Sequence, residues 1–111
     1  MQTIAFQKIY DFYKNLYANL RSINKLDRYT WGEKCDHLAL EILSLSATAD
    51  YLPRAQKLPA VRELSLKIDL LKIFLRLGHE LKIIDQKRYL YREKELVEIG
   101  KITGGWLKTL Y

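Results

Sequence analysis

The sequence predicts an all-α protein, an antiparallel up-down four-helix bundle, and three observations lead there. First, its 111 residues include only two prolines and five glycines, too few breakers for a disordered or low-complexity chain. Second, apolar residues make up 49% of the chain and recur at intervals of three and four through long runs, the spacing that lines a helix face. Third, the breaks between those runs carry turn and capping residues. Together these give helices at about 3–24, 30–51, 59–82 and 86–109, in one domain over residues 1–111. Helices of ~22 residues are ~33 Å long, suited to packing side by side, and short links make neighbours antiparallel.

On the first helix, Phe6, Ile9, Phe12, Tyr13, Leu16, Leu20 and Ile23 form a broad apolar face bordered by Tyr10 and Tyr17. Thr30-Trp31-Gly32-Glu33 has the S/T-x-x-E form of a capping box, in which hydroxyl and carboxylate satisfy free amides, so the second helix is expected to begin at Thr30. Pro53 and Pro59 bracket a middle loop, since proline stops one helix and suits the first turn of the next. Asp85 is placed to cap the last helix. There Tyr89, Leu96, Ile99, Gly100, Thr103, Trp106, Leu107 and Leu110 share a face. The small residues at 100, 103 and 104 let another helix approach closely, while Gly105 weakens the final turns.

The two middle helices carry more apolar surface than one core needs. The second has one arc of Trp31, Cys35, Leu38, Ile42, Leu45 and Ala49 and another of Leu40, Leu43 and Ala47. On the third, leucines, isoleucines and Phe74 cover well over half the circumference, broken by Glu63 and Lys67, an i,i+4 pair. Apolar surface left unburied is an association patch. Leu40, Leu43, Ala47, Leu71 and Leu75 are therefore the candidate residues of an interface between copies of the chain. The alternative is that both helices are central in a monomer.

Charge is the second theme. The formal net charge is +6, spread unevenly along the chain. Residues 1–28 carry five basic and two acidic side chains, 29–51 one and four, 52–82 seven and three, and 83–111 six and four. Lys87, Lys94, Lys101 and Lys108 recur every seven residues and fall along one side of the last helix at ~10.5 Å intervals. Arg62, Lys72 and Arg76 lie on the polar strip of the third helix, beside Ser65, Asp69 and His79, and Lys14, Arg21 and Lys25 run beside Tyr10 and Tyr17 on the first. Rows of this kind neutralise phosphates, and tyrosines at their edge stack on unpaired bases. The plainer reading is a set of solvated faces, with Glu98 offsetting Lys94 and Lys101.

No catalytic or metal constellation emerges, and no cofactor is expected. Cys35, Asp36 and His37 are consecutive, so on a helix they point ~100° apart and do not converge. Cys35 reads as core. His79 has no acidic or histidine partner at i+4. Gly100-Lys101-Ile102-Thr103-Gly104-Gly105 follows no strand, so it is neither a P-loop nor a dinucleotide fingerprint. The single cysteine fits a reducing compartment, and no membrane span or export signal is legible, so a cytoplasmic protein with no membrane partner is expected.

The run Arg28-Tyr29-Thr30-Trp31-Gly32-Glu33-Lys34 resembles the R-Y-x-L-G-E opening of the second helix in four-helix-bundle proteins related to those encoded in ribosomal RNA intervening sequences. Further runs narrow the branch: Leu71-Lys72-Ile73-Phe74-Leu75-Arg76-Leu77, Gln86-Lys87-Arg88-Tyr89, and Glu98-Ile99-Gly100 followed by Lys101 and Thr103-Gly104-Gly105-Trp106-Leu107-Lys108. In order and spacing these are similar to the accessory variability determinant (Avd) proteins of diversity-generating retroelements. The similarity covers roughly residues 28–111, and its terminal E-I-G-x-x-x-G-G-W-L-K is the most specific part. The loop from Leu52 to Leu58 and the first helix match only in type.

The resemblance implies a non-enzymatic basic protein that forms a homopentameric barrel. It also implies binding to the element's reverse transcriptase and to its template RNA, in support of mutagenic reverse transcription and retrohoming; the basic rows themselves suit DNA as well as RNA. The alternative is an intervening-sequence-type bundle acting as a protein-interaction module with an undefined partner.

Overall fold

In a computed structural model, which describes residues 3–111, the chain is all-helical: α1 (Ile4–Arg21), α2 (Glu33–Ala49), α3 (Arg54–Glu80) and α4 (Gln86–Lys108). Each helix packs on the next, and α1 closes the ring against α4, giving a body of 43 × 20 × 20 Å. The end contacts fix the directions. At one end the Thr3 amide donates to Asp50 past the close of α2 (3.3 Å), and the Arg54 guanidinium at the start of α3 donates to the Thr109 carbonyl after α4 (2.9 Å). The helices therefore run alternately up and down. The core consists of residues such as Ile9, Phe12 and Leu16 from α1, Cys35 and Ile42 from α2, Leu64, Ile68, Leu71 and Leu75 from α3, and Leu96 and Ile99 from α4.

Two helix starts differ from the sequence expectation. The path into α2 begins earlier than Thr30: Asn24 caps a short turn, Lys25–Asp27, by accepting the Asp27 amide at 3.0 Å, and a π-helical turn, Arg28–Gly32, follows. Thr30 is not a cap, because its hydroxyl turns back to donate to the Leu26 carbonyl at 3.0 Å. The third helix starts at Arg54 rather than at 59, with Pro53 as its N-cap and Pro59 inside it. Pro59 withholds an amide from the carbonyl four residues back, at Ala55, and both residues are exposed, so that carbonyl is open to solvent. The middle loop shrinks accordingly, and the Lys57 ammonium reaches back to donate to the last carbonyls of α2, those of Ala49 (2.8 Å) and Asp50 (3.0 Å).

The interface expectation needs correction for α3. Leu71 and Leu75 are fully buried within the subunit and have no surface to offer a partner. The exposed apolar stripe on α3 is Leu66, Leu70, Ile73 and Leu77, continuing to Leu81. Leu64, Ile68, Leu71 and Leu75 point inward at the same three-and-four spacing, so the helix carries two seams about half a turn apart. On α2, Leu40 is exposed while Leu43 and Ala47 are half-buried.

At the other end of the bundle, the Trp31 indole N–H donates to the Phe74 carbonyl at 2.7 Å. Beyond α3, Lys82 adopts a left-handed conformation (φ 62°), and the amide of Ile83 returns to the Gly78 carbonyl at 2.9 Å. Asp85 caps α4 by accepting the Arg88 amide at 2.8 Å. Of the small residues expected to admit another helix, Gly100 lies under Lys72, whose Nζ would be 3.1 Å from an added Cβ. Gly104 faces open space, with nothing within 4 Å of such an atom, because it sits on the side of α4 away from the core.

Candidate nucleic-acid interface

Lys87, Lys94, Lys101 and Lys108 are all exposed on the side of α4 opposite Leu96, Ile99 and Thr103. Leu90 and Val97, both exposed, flank the lysines about 60° around the helix. Glu98 does not offset this ladder; it leans to α1 and pairs with Lys8 at 3.0 Å. Among the described residues none of the four ammonium groups pairs with a carboxylate. The ladder is therefore a row of exposed ammonium groups with no ion-pair partner among the described residues.

The other two rows are more engaged. On α3, Lys72 is half-buried and approaches Asp69 at 3.7 Å, while Arg62 lies 5.9 Å from the centre of the Tyr111 ring. Arg76 and Lys72 line a small groove of about 180 Å³ with Ile73, Tyr89, Glu93 and Val97, between α3 and α4. On α1 the cations sit over tyrosine rings: Lys14 over Tyr10 at 5.0 Å, Arg21 over Tyr17 at 5.7 Å, and Lys25 over Tyr29 at 5.9 Å. Lys14 also approaches Asp11 at 3.7 Å. Tyr10 and Tyr17 are exposed, but each already has a cation over its ring.

The acidic excess of the second segment is partly absorbed. Glu41 is bonded to Lys67 at 2.8 Å, which holds its carboxyl below the usual range, and Glu63 stands 3.8 Å from the same ammonium. Asp36 accepts the Tyr13 hydroxyl at 2.6 Å. Burial, helped by that hydrogen bond, pushes Tyr13 up to about 12. Burial likewise pushes the Cys35 thiol up to about 12, so it is a protonated core group. His79 stacks on Tyr89 with ring centres 4.6 Å apart and planes 2° from parallel. Among the described residues no group of three or more histidine, cysteine or carboxylate side chains is placed to hold a metal ion, and no helix is long and apolar enough to cross a membrane.

Polar contacts also join the helices to one another. Arg92 pairs with Glu95 and donates to Asn19 at 2.8 Å, and Asn15 donates to Glu95 at 2.8 Å, which stitches α1 to α4. Nothing in the spacing of Asn15, Asn19, Arg92 and Glu95 announces this network, because it joins residues more than seventy positions apart.

The described residues form an all-helical bundle whose last helix carries a row of exposed lysines. Over residues 3–110 the chain matches the family described as bAvd-like, and it belongs to that family. No curated protein and no solved structure matches it.

Proposed function

We propose that this protein is a non-enzymatic accessory factor of a diversity-generating retroelement, binding the element's reverse transcriptase and template RNA in the cytoplasm. The observation that carries the reading is the lysine ladder of α4, unpaired among the described residues, in a chain that belongs to the bAvd-like family. A cation with no carboxylate partner releases no salt bridge when it meets a phosphate, so each contact gains the full counterion release. The apolar flank at Leu90 and Val97 gives adjoining contact surface for ribose or base edges. The rows on α3 and α1 serve the same polyanion or the polymerase.

Self-assembly is part of the proposal. Leu66, Leu70, Ile73 and Leu77 form an exposed apolar seam of the kind that packs against another helix, with Leu40 on the neighbouring helix. Several copies around an axis, five in the barrel the resemblance implies, would repeat the ladder and multiply weak phosphate contacts. The test is co-purification of the protein with the reverse transcriptase encoded beside it, with and without ribonuclease, together with RNA binding across salt. Affinity for single-stranded RNA is expected to fall with a log–log slope of about −0.7 per phosphate contact. No association with polymerase or RNA would refute the proposal.

A further inference from the structure

The motif from Arg28 to Glu33 has a structural consequence separate from the ladder: it builds a cavity. In the π-helical turn Arg28–Gly32, a distortion that recurs at functional sites, Tyr29 is exposed and Gly32 is buried beside the end of α1. A Cβ at Gly32 would lie 3.2 Å from the Ile23 side chain and 3.3 Å from the Asp27 carbonyl. Beside it opens a cavity of about 220 Å³, floored by Leu20 and lined by Tyr17, Tyr29, Arg21, Arg28, Glu33 and Asp36. Arg28 is held in place by donating to the carbonyls of Arg21 (3.0 Å) and Ile23 (3.2 Å), and Asp36 by accepting from Tyr13 (2.6 Å).

Resting on the nucleic-acid reading above, we propose that this cavity takes one unpaired guanine nucleotide. Three kinds of group meet there, and they match the three parts of a nucleotide. The Tyr29 ring and the Arg21 guanidinium, which covers the Tyr17 ring at 5.7 Å, offer flat surfaces for a base to stack on. The arginines suit the phosphate. Glu33 and Asp36 are acceptors for N–H groups on a base edge. Guanine presents two adjacent donors, N1–H and the N2 amine, to one carboxylate. Adenine and cytosine set a ring-nitrogen acceptor beside their amine, and uracil flanks its lone N–H with two carbonyls. A nucleotide sets its phosphate against the arginines and its N–H edge against the carboxylates, whereas a bare cation in the tyrosine cage would be repelled by two arginines.

The experiment uses the full chain and end-labelled hexauridylate in which one central residue is uridine, guanosine, inosine or adenosine, as RNA and as DNA, with free guanosine monophosphate as a third arm. The guanosine strand is expected to bind about tenfold tighter than the all-uridine strand, the scale of one good bidentate base contact, with inosine, which lacks the amine, in between. Glu33→Gln, at an exposed position, should erase that increment and leave the all-uridine affinity within about twofold, whereas Tyr29→Ala should erase it and also weaken every strand, because stacking is sequence-tolerant. An increment in RNA alone, in DNA alone or for the free nucleotide, abolished by Glu33→Gln, supports the site and identifies its source. Salt-dependent binding of all strands with equal affinity, or an increment that survives both substitutions, overturns the guanine site and leaves the lysine ladder standing. Failure of every strand and of the nucleotide to bind overturns both readings.

Discussion

Gly78 lies directly beneath the ring of Trp31: a Cβ at that position would come within 2.2 Å of indole Cζ2 and 2.4 Å of Cε2. The ring is rigid and its N–H is anchored on the Phe74 carbonyl at 2.7 Å, so it has little room to retreat. This contact locks the start of the second helical path to the end of α3. Gly78→Ala should therefore destabilise the protein by about 1–3 kcal/mol, as overpacking does, despite the ~1 kcal/mol that alanine gains over glycine in a helix. Urea unfolding of the two proteins decides it, and a more stable variant would show that the indole moves freely.

Lys82 is the one described non-glycine residue with positive φ, at 62°, and it ends α3 where glycine is the favoured residue. Lys82→Gly should raise stability by about 0.5–1 kcal/mol, because the left-handed conformation no longer carries a Cβ. Lys82→Val should lower it. Thermal unfolding of both variants checks the sign, which is opposite to that of most glycine substitutions.

Cys35 and Tyr13 make the fold sensitive to alkali. Both are pushed up to about 12 in the folded protein, from ordinary values of 9.0 and 10.0, chiefly by burial. The folded state thus holds these protons more tightly than the unfolded chain. Their contribution is complete below about pH 9 and is lost as pH rises toward about 12. The melting temperature should fall through that window, less steeply in Tyr13→Phe, and the native thiol should resist a disulfide reagent at about pH 8 until the protein is denatured. Rapid labelling of the native protein would contradict the burial of Cys35.

The two seams of α3 predict opposite outcomes for similar substitutions. Leu75→Glu buries an unpaired carboxylate at a cost of several kcal/mol and should unfold the chain. Leu70→Glu, on the exposed stripe, should leave circular dichroism unchanged while shifting light-scattering mass to a smaller species. If wild type is monomeric at every concentration, the assembly proposal fails.

The helical class, the Asp85 cap and the seven-residue lysine spacing were legible because each depends on local periodicity. The phase of α3 was not. Leucines at 64, 68, 71 and 75 and at 66, 70, 73 and 77 are equivalent in one dimension, and only packing against α1, α2 and α4 decides which set turns inward. Thr30 fits a capping box by sequence, yet Asn24 had already started the helical path, so no free amides remained there to cap. Pro59 misled because proline is read as a helix start, whereas an exposed site several residues inside α3 tolerates it. The cavity beside Gly32 draws Tyr17 and Arg21 from α1 and Arg28, Tyr29, Glu33 and Asp36 from the next segment, a convergence that neither stretch displays alone.

The most direct test of the central claim, that α4 presents a phosphate-binding ladder, is the salt dependence of RNA binding after replacing Lys87, Lys94, Lys101 and Lys108 together with glutamine. All four are exposed and unpaired among the described residues, so folding and assembly should be unaffected. The log–log slope between about 50 and 200 mM salt should become shallower by about 0.7 for each contact removed. Affinity should drop alike for all sequences, since phosphate contacts position without reading bases. A slope and affinity identical to those of the wild type would contradict the account.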